Sequence, residues 1–111
     1  MTLALELLPG AIADLDSIYA YSVEHWGPEQ AETYLRALNA RMQGLRRFPA
    51  LGTVHDALHP GLRRIGEGRH SIYYLIRDET VLIVRVLHDR MDPKRARFTL
   101  QQPAQEYRAE V

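Results

Sequence analysis

The chain has 111 residues, 46% of them apolar, with 14 basic and 14 acidic side chains and a formal net charge of zero. That length supports one domain with a modest core, and the absence of cysteine excludes disulfides and thiolate metal sites. No run approaches the roughly 20 apolar residues of a membrane helix. The N-terminal stretch is broken by Glu6 and lacks Lys and Arg, unlike a signal peptide, so a cytoplasmic protein is expected.

Leu3, Leu5 and Leu7 alternate with Ala4 and Glu6, which predicts a first strand ending at Pro9-Gly10. The period then changes. Ile12, Leu15, Ile18, Tyr19, Val23 and Trp26 recur at threes and fours, the stripe of an amphipathic helix, with Asp14 and Asp16 placed to suit the helix dipole. Gly27-Pro28 closes this helix and opens a second, with Pro28 at its first position and Glu29 and Glu32 in its first turn. Ala31, Tyr34, Leu35, Leu38, Met42 and Leu45 carry the stripe on to Phe48-Pro49. So short a connection makes the helices antiparallel, and their stripes can share one core.

Residues 49–61 read as a loop containing Gly52, His55, His59 and Pro60. Strands are predicted at 62–65, 70–76 and 81–88, with a bend at Gly66 and Gly68 and a polar hairpin connection over 77–80. The last strand, Val-Leu-Ile-Val-Arg-Val-Leu, is too apolar to have a face in water and belongs inside a sheet. It breaks into His88, Asp89, Arg90 and Asp92 before Pro93, so the sheet should present a charged cluster at one edge of the core. Residues 91–100 read as a short helix or an extended arm, and 101–111 as a polar tail with little to bury. The fold class is therefore α+β: an N-terminal strand, an antiparallel helical hairpin, then a three-stranded antiparallel sheet. Residues 1–98 form the domain and 99–111 a partly disordered tail.

The zero net charge hides a division. Residues 1–35 hold six acids and no Lys or Arg, whereas 36–97 hold thirteen basic residues against six acids. All but Lys94 are Arg, whose planar fork suits carboxylate or phosphate; the bland reading is an ordinary solvated surface. Arg85 interrupts the most apolar strand. Either it pairs with an acid, as partly buried charges do, or it joins a basic face with Arg63, Arg64 or Arg69. By alternation it shares a face with Val81, Ile83 and Leu87, so only one of Arg85 and His88 should point at the helices. Tyr73-Tyr74 should place one phenol in the core and one in solvent.

His55 and His59 have a metal spacing for a helix, but Pro60 argues for a loop, so neither a metal nor a cofactor is expected. Ser71, mid-strand, lacks a nucleophile's partners. His88 could move protons near neutrality, yet no companion base or anion clamp stands beside it in the sequence, so no catalytic residue is assigned.

The segments Arg-Arg-Phe-Pro-Ala-Leu-Gly (46–52), Gly-Leu-Arg-Arg (61–64), His-Ser-Ile-Tyr-Tyr (70–74) and Arg-Val-Leu-His-Asp-Arg-Met-Asp (85–92) resemble the ParE toxins of the ParE/RelE superfamily, over about residues 3–98. That resemblance implies a type II toxin that inhibits DNA gyrase by binding it. It also implies neutralisation by a ParD-like antitoxin, in a hetero-oligomer, whose C-terminal segment wraps the helical hairpin and sheet edge. It implies no membrane association and no sequence-specific nucleic-acid binding by the toxin alone. Candidate gyrase contacts are Arg63, Arg64, Arg69, Arg90, Lys94 and Arg95, beside a strand-end cluster of Arg85, His88, Asp89 and Asp92; antitoxin contacts are not assigned.

The alternative is the RelE-like branch, which cuts messenger RNA on the ribosome. That branch usually carries basic residues on the middle strands and a cation in the turn where this chain has Asp89, and an acid is wrong for stabilising a phosphorane. A toxin-like module that only binds its antitoxin is a third possibility.

Overall fold

The structure is a computed structural model that describes residues 2–96 and 98. A strand β1 (Ala4–Leu7) leads into the helices α1 (Pro9–Trp26) and α2 (Pro28–Gly44). A 3-10 turn at Pro49–Leu51 precedes β2 (Thr53–Val54), β3 (Arg63–Glu67), β4 (His70–Arg77) and β5 (Thr80–His88), and a second 3-10 turn spans Pro93–Arg95.

Each helix opens with proline in its first turn, where the missing N–H costs nothing. The buried positions of α1 are Ala11, Ile18 and Ser22, with Leu15 half-buried. Ile12, Tyr19 and Trp26, expected in the stripe, are instead exposed. The small residues Ala11 and Ser22 let α1 lie close to its neighbours, which rotates the buried face away from the bulkier apolar side chains. On α2 the expected stripe of Ala31, Leu38, Met42 and, just beyond it, Leu45 is buried.

The sheet corrects the sequence reading. It has five strands in the order β1-β5-β4-β3-β2, and it is mixed rather than purely antiparallel. β1 runs parallel to β5, pairing Ala4 with Thr80 and Leu7 with Ile83. The two intervening helices supply the crossover that a parallel pair requires. β2, only two residues long and exposed, was hidden within the expected loop; it adds Thr53–Val54 to the edge of β3. The β4–β5 hairpin turns on Asp78 and Glu79, both at positive φ (53° and 58°), the geometry of a two-residue turn matched to strand twist.

A β-bulge overturns the alternation argument. Tyr73 faces Arg85 and Tyr74 faces Ile83, so Val84 is an extra residue without a partner. Val81, Ile83 and Val86 therefore pack under the helices with Ile72 and Tyr74, whereas Val84 and Leu87 join Leu8, Leu62, Tyr73 and Leu75 on the opposite face. Leu87 thus leaves the face it was expected to share with Ile83. Both tyrosines are buried, at 4% and 0% exposure, because Leu58, Ala96 and Phe98 cover the second face as the helices cover the first. The tail expected at 99–111 lies outside the described residues. Among the described residues, no helix is long and apolar enough to cross a membrane.

Candidate functional site

β1 ends at Leu7 while β5 continues to His88, so the far half of β5 has no strand on that side. The first turns of α1 cover it. Asp14 accepts the backbone N–H of Val86 at 2.9 Å, and its two carboxylate oxygens take Arg85 Nε at 2.7 Å and Nη2 at 2.8 Å. The Asp14 bond raises the Arg85 pKa against the opposing effect of burial. Arg85 is therefore the acid-paired residue of the structural reading rather than a member of a basic face, and Asp14 serves the sheet rather than the helix dipole.

Further along, β5 and β4 end together and bring His88 opposite His70. The imidazoles meet edge to face, centroids 5.2 Å apart. Tyr34 reaches across from α2, its hydroxyl 2.5 Å from His70 Nδ1. The same hydroxyl accepts the Arg69 N–H at 3.1 Å and lies 3.3 Å from the Glu67 carbonyl, pinning the β3–β4 turn. This is why Gly68 stands in that turn: at φ +58° an added Cβ would lie 2.6 Å from the Tyr34 ring. The Asp89 N–H donates to the Arg69 carbonyl at 2.8 Å and ties the turn to the end of β5.

Burial raises the Tyr34 phenol pKa, and burial followed by the nearby His88 lowers that of His70. His88 Nδ1 lies 3.1 Å from the Arg90 N–H and 3.0 Å from Asp89 Oδ1. It accepts from the first when unprotonated and donates to the second when protonated.

These residues floor one end of a groove of about 950 Å³ between the helical hairpin and the sheet. Ile18, Tyr21, Trp26 and Tyr34 form its helical wall; Arg69, His70, His88, Arg90 and Met91 line the sheet side. Both Arg85, through Asp14, and His88 thus reach toward the helices, which the bulge makes possible.

The sequence-assigned residues divide between the groove and the framework. Arg69, His88 and Arg90 line the groove. Arg63 donates to the Ala50 and Gly52 carbonyls at 3.3 and 2.8 Å, and Arg64 Nε donates to the buried Ser71 hydroxyl at 2.8 Å. Those two face bonding partners inside the protein. Asp92 caps the last 3-10 turn by accepting the Lys94 N–H, leaving Lys94 and Arg95 exposed. Sequence reasoning missed Tyr34 and His70 as members of the cluster; only the strand register places His70 against His88. Among the described residues, no group of three or more His, Cys, Asp or Glu could hold a metal ion.

The sequence model of the "ParE toxin of type II toxin-antitoxin system, parDE" matches residues 5–93. Toxin ParE1 of Mycobacterium tuberculosis is 39% identical over 90 residues, 80% of this chain and 92% of that protein. Among solved structures, a chain from the chromosomal ParDE system of P. aeruginosa superposes with a TM-score of 0.68 at 24% identity, covering 78% of this chain and 96% of that one. A chain of the toxin–antitoxin complex RelBE2 from Mycobacterium tuberculosis gives 0.60 at 23% identity, covering 79% and 99%. At such identities the structural likenesses speak for the fold. The family match runs from β1 through the strand-end cluster to Pro93, so the groove lies within it, and this chain belongs to the ParE toxin family of type II toxin–antitoxin systems, within the ParE/RelE superfamily.

Proposed function

We propose that the protein is a cytoplasmic toxin that binds and inhibits DNA gyrase without catalysing a reaction and is neutralised by a ParD-like antitoxin in a hetero-oligomer. The observation that carries this reading is the family match over residues 5–93. The surface supports a binding role: Trp26, Tyr21 and Met91 stand 70%, 59% and 48% exposed around the groove, apolar area that a partner would cover. Of the residues assigned as gyrase contacts, Arg69, Arg90, Lys94 and Arg95 are exposed and can reach a partner. Arg63 and Arg64 act behind them by holding the 49–52 turn and β4.

The Tyr34–His70–His88 cluster beside two arginines favours a second reading, ribosome-dependent cleavage of messenger RNA. Against it, the Tyr34 hydroxyl and the His88 Nδ1 are engaged in holding the β3–β4 turn and the end of β5. A supercoiling assay run beside a ribosome-bound messenger assay separates the two. Inhibited supercoiling with intact messenger is expected, as is rescue of growth by coexpressing a small antitoxin encoded next to the toxin. Cut messenger with unaffected gyrase would establish the second reading instead.

A further inference from the structure

We infer that the protein associates with a second copy of itself head to tail, the outer stripe of α1 on one copy docking against the 48–54 edge of the next. The stripe is the part of the expected helical pattern that the core leaves out. Ile12, Tyr19 and Trp26 recur at seven-residue intervals, so they fall along one side of α1, and all three are exposed. Asp16, four residues after Ile12 and three before Tyr19, lies beside them. It is exposed, and among the described residues its carboxylate has no ion pair or hydrogen bond. Residues 1–35 contain no Lys or Arg, so α1 and the start of α2 offer it no such cation.

The complementary patch lies elsewhere. Phe48, Leu51 and Val54 are each more than half exposed, on the segment that enters β2 and on β2 itself. Residues 46–64 hold four Arg against one Asp. Arg47 is exposed, and its guanidinium likewise has no ion pair or hydrogen bond among the described residues; Arg63 lies along the same segment, on the Ala50 and Gly52 carbonyls. One copy cannot join its own patches. The Arg46 carbonyl accepts the Leu3 N–H at 2.9 Å, which sets the start of the basic segment at the Thr80 end of β5, whereas Trp26 stands with His88 at the other end. β2 forms one edge of the sheet, and α1 lies over β5 and β1 toward the opposite edge. Charge then selects how two copies meet. Like patches face to face would set Asp16 against Asp16 or Arg47 against Arg47, which is unfavourable; unlike patches set acid against guanidinium and apolar side chains against apolar ones. Such a contact leaves one patch of each kind free at the ends, so association continues as concentration rises. Three large side chains on each copy make a small interface, for which a dissociation constant on the order of 10 µM is expected. The inference does not rest on the gyrase reading, since neither patch needs a target.

Sedimentation equilibrium of the full-length protein, free of any copurifying partner, reads its mass over roughly a hundredfold range of concentration around that value. The mean mass should rise with concentration, and rise less as salt is added, because screening weakens attraction between exposed charges. The double substitutions Asp16→Lys/Tyr19→Ser and Arg47→Glu/Phe48→Ser should each weaken association on the order of tenfold or more, as loss of an interface anchor does. Mixed in equal amounts, the two variants should form a heterodimer and nothing larger, since the first keeps its basic patch and the second its acidic one. All four positions are exposed, and unchanged circular dichroism checks folding; should either pair unfold, Asp16→Lys and Arg47→Glu as single substitutions carry the same test. The inference is overturned by a native protein that stays monomeric throughout, by association that salt leaves unchanged, by a variant of either patch that associates as the native chain does, or by a mixture that remains monomeric.

Discussion

Asp14 does three jobs with one carboxylate: it neutralises Arg85, fixes that side chain through two oxygens, and closes the exposed backbone of β5 at Val86. The two side chains are 15% and 22% exposed, so solvent screens their attraction little. Asp14→Ala deprives a half-buried guanidinium of its carboxylate and leaves an N–H without its acceptor. A loss of about 2–4 kcal/mol follows, read as a lower urea midpoint with unchanged slope. His70 makes stability depend on pH. Burial and the neighbouring His88 hold its folded pKa below the ordinary 6.5, so the unfolded chain binds more protons in that range. Its contribution is complete above about pH 6.5 and is lost as pH falls through the folded value. Equilibrium unfolding at about pH 7.5 and about pH 5.5 should show a decline on acidification, and His70→Gln should flatten it; an equal slope in both proteins would remove His70 as the cause. Of this chemistry, the sequence offered an acid partner for Arg85 as one of two readings. It did not reveal which acid, because Asp14 is 71 residues away and meets Arg85 only through the β1–α1 crossover.

The elements were legible in proportion to how far local pattern determines them. Both helices follow from period and proline, and β5 from its unbroken apolar run. The bulge at Val84 has no local signal, since its sequence is as apolar as its neighbours; it comes from the need to turn Val86 back under the helices. β2 was hidden for a different reason: two residues cannot display a period. What holds it is a glycine. The Gly52 N–H donates to the Tyr74 hydroxyl at 2.8 Å, and that hydroxyl donates to the Pro49 carbonyl at 2.7 Å. A Cβ at Gly52 would lie 2.6 Å from the Tyr74 oxygen and 2.8 Å from the Arg64 carbonyl, and the backbone oxygen cannot move cheaply. Gly52→Ala should therefore cost about 2 kcal/mol, as overpacking does, and expose the amides of 50–54 to hydrogen exchange. Gly44→Ala is the control: its added methyl meets nothing within 4 Å at the end of α2, and it should be neutral or stabilising by up to about 1 kcal/mol.

At the scale of the molecule, the order of elements and the toxin-like strand end could be read from the chain, but the groove could not. It forms where four remote segments meet: the middle and end of α1, the start of α2, the β3–β4 turn and the end of β5. Tyr34 looked like one more stripe residue, and it is half-buried as such residues are, yet its hydroxyl closes the far end of the site.

The parallel pairing of β1 with β5 has a consequence for how the toxin comes into being. Ala4 finds its neighbour at Thr80, so β1 leaves the ribosome well before β5 and must wait for it before it can be zipped in. Until then the nascent chain can assemble a helical pair but not the sheet's interior, the floor beneath it or the strand-end cluster. A chain cut short before β5 is thus an unfinished domain without its groove. Only once β5 has emerged can the sheet close over its core and the groove take shape.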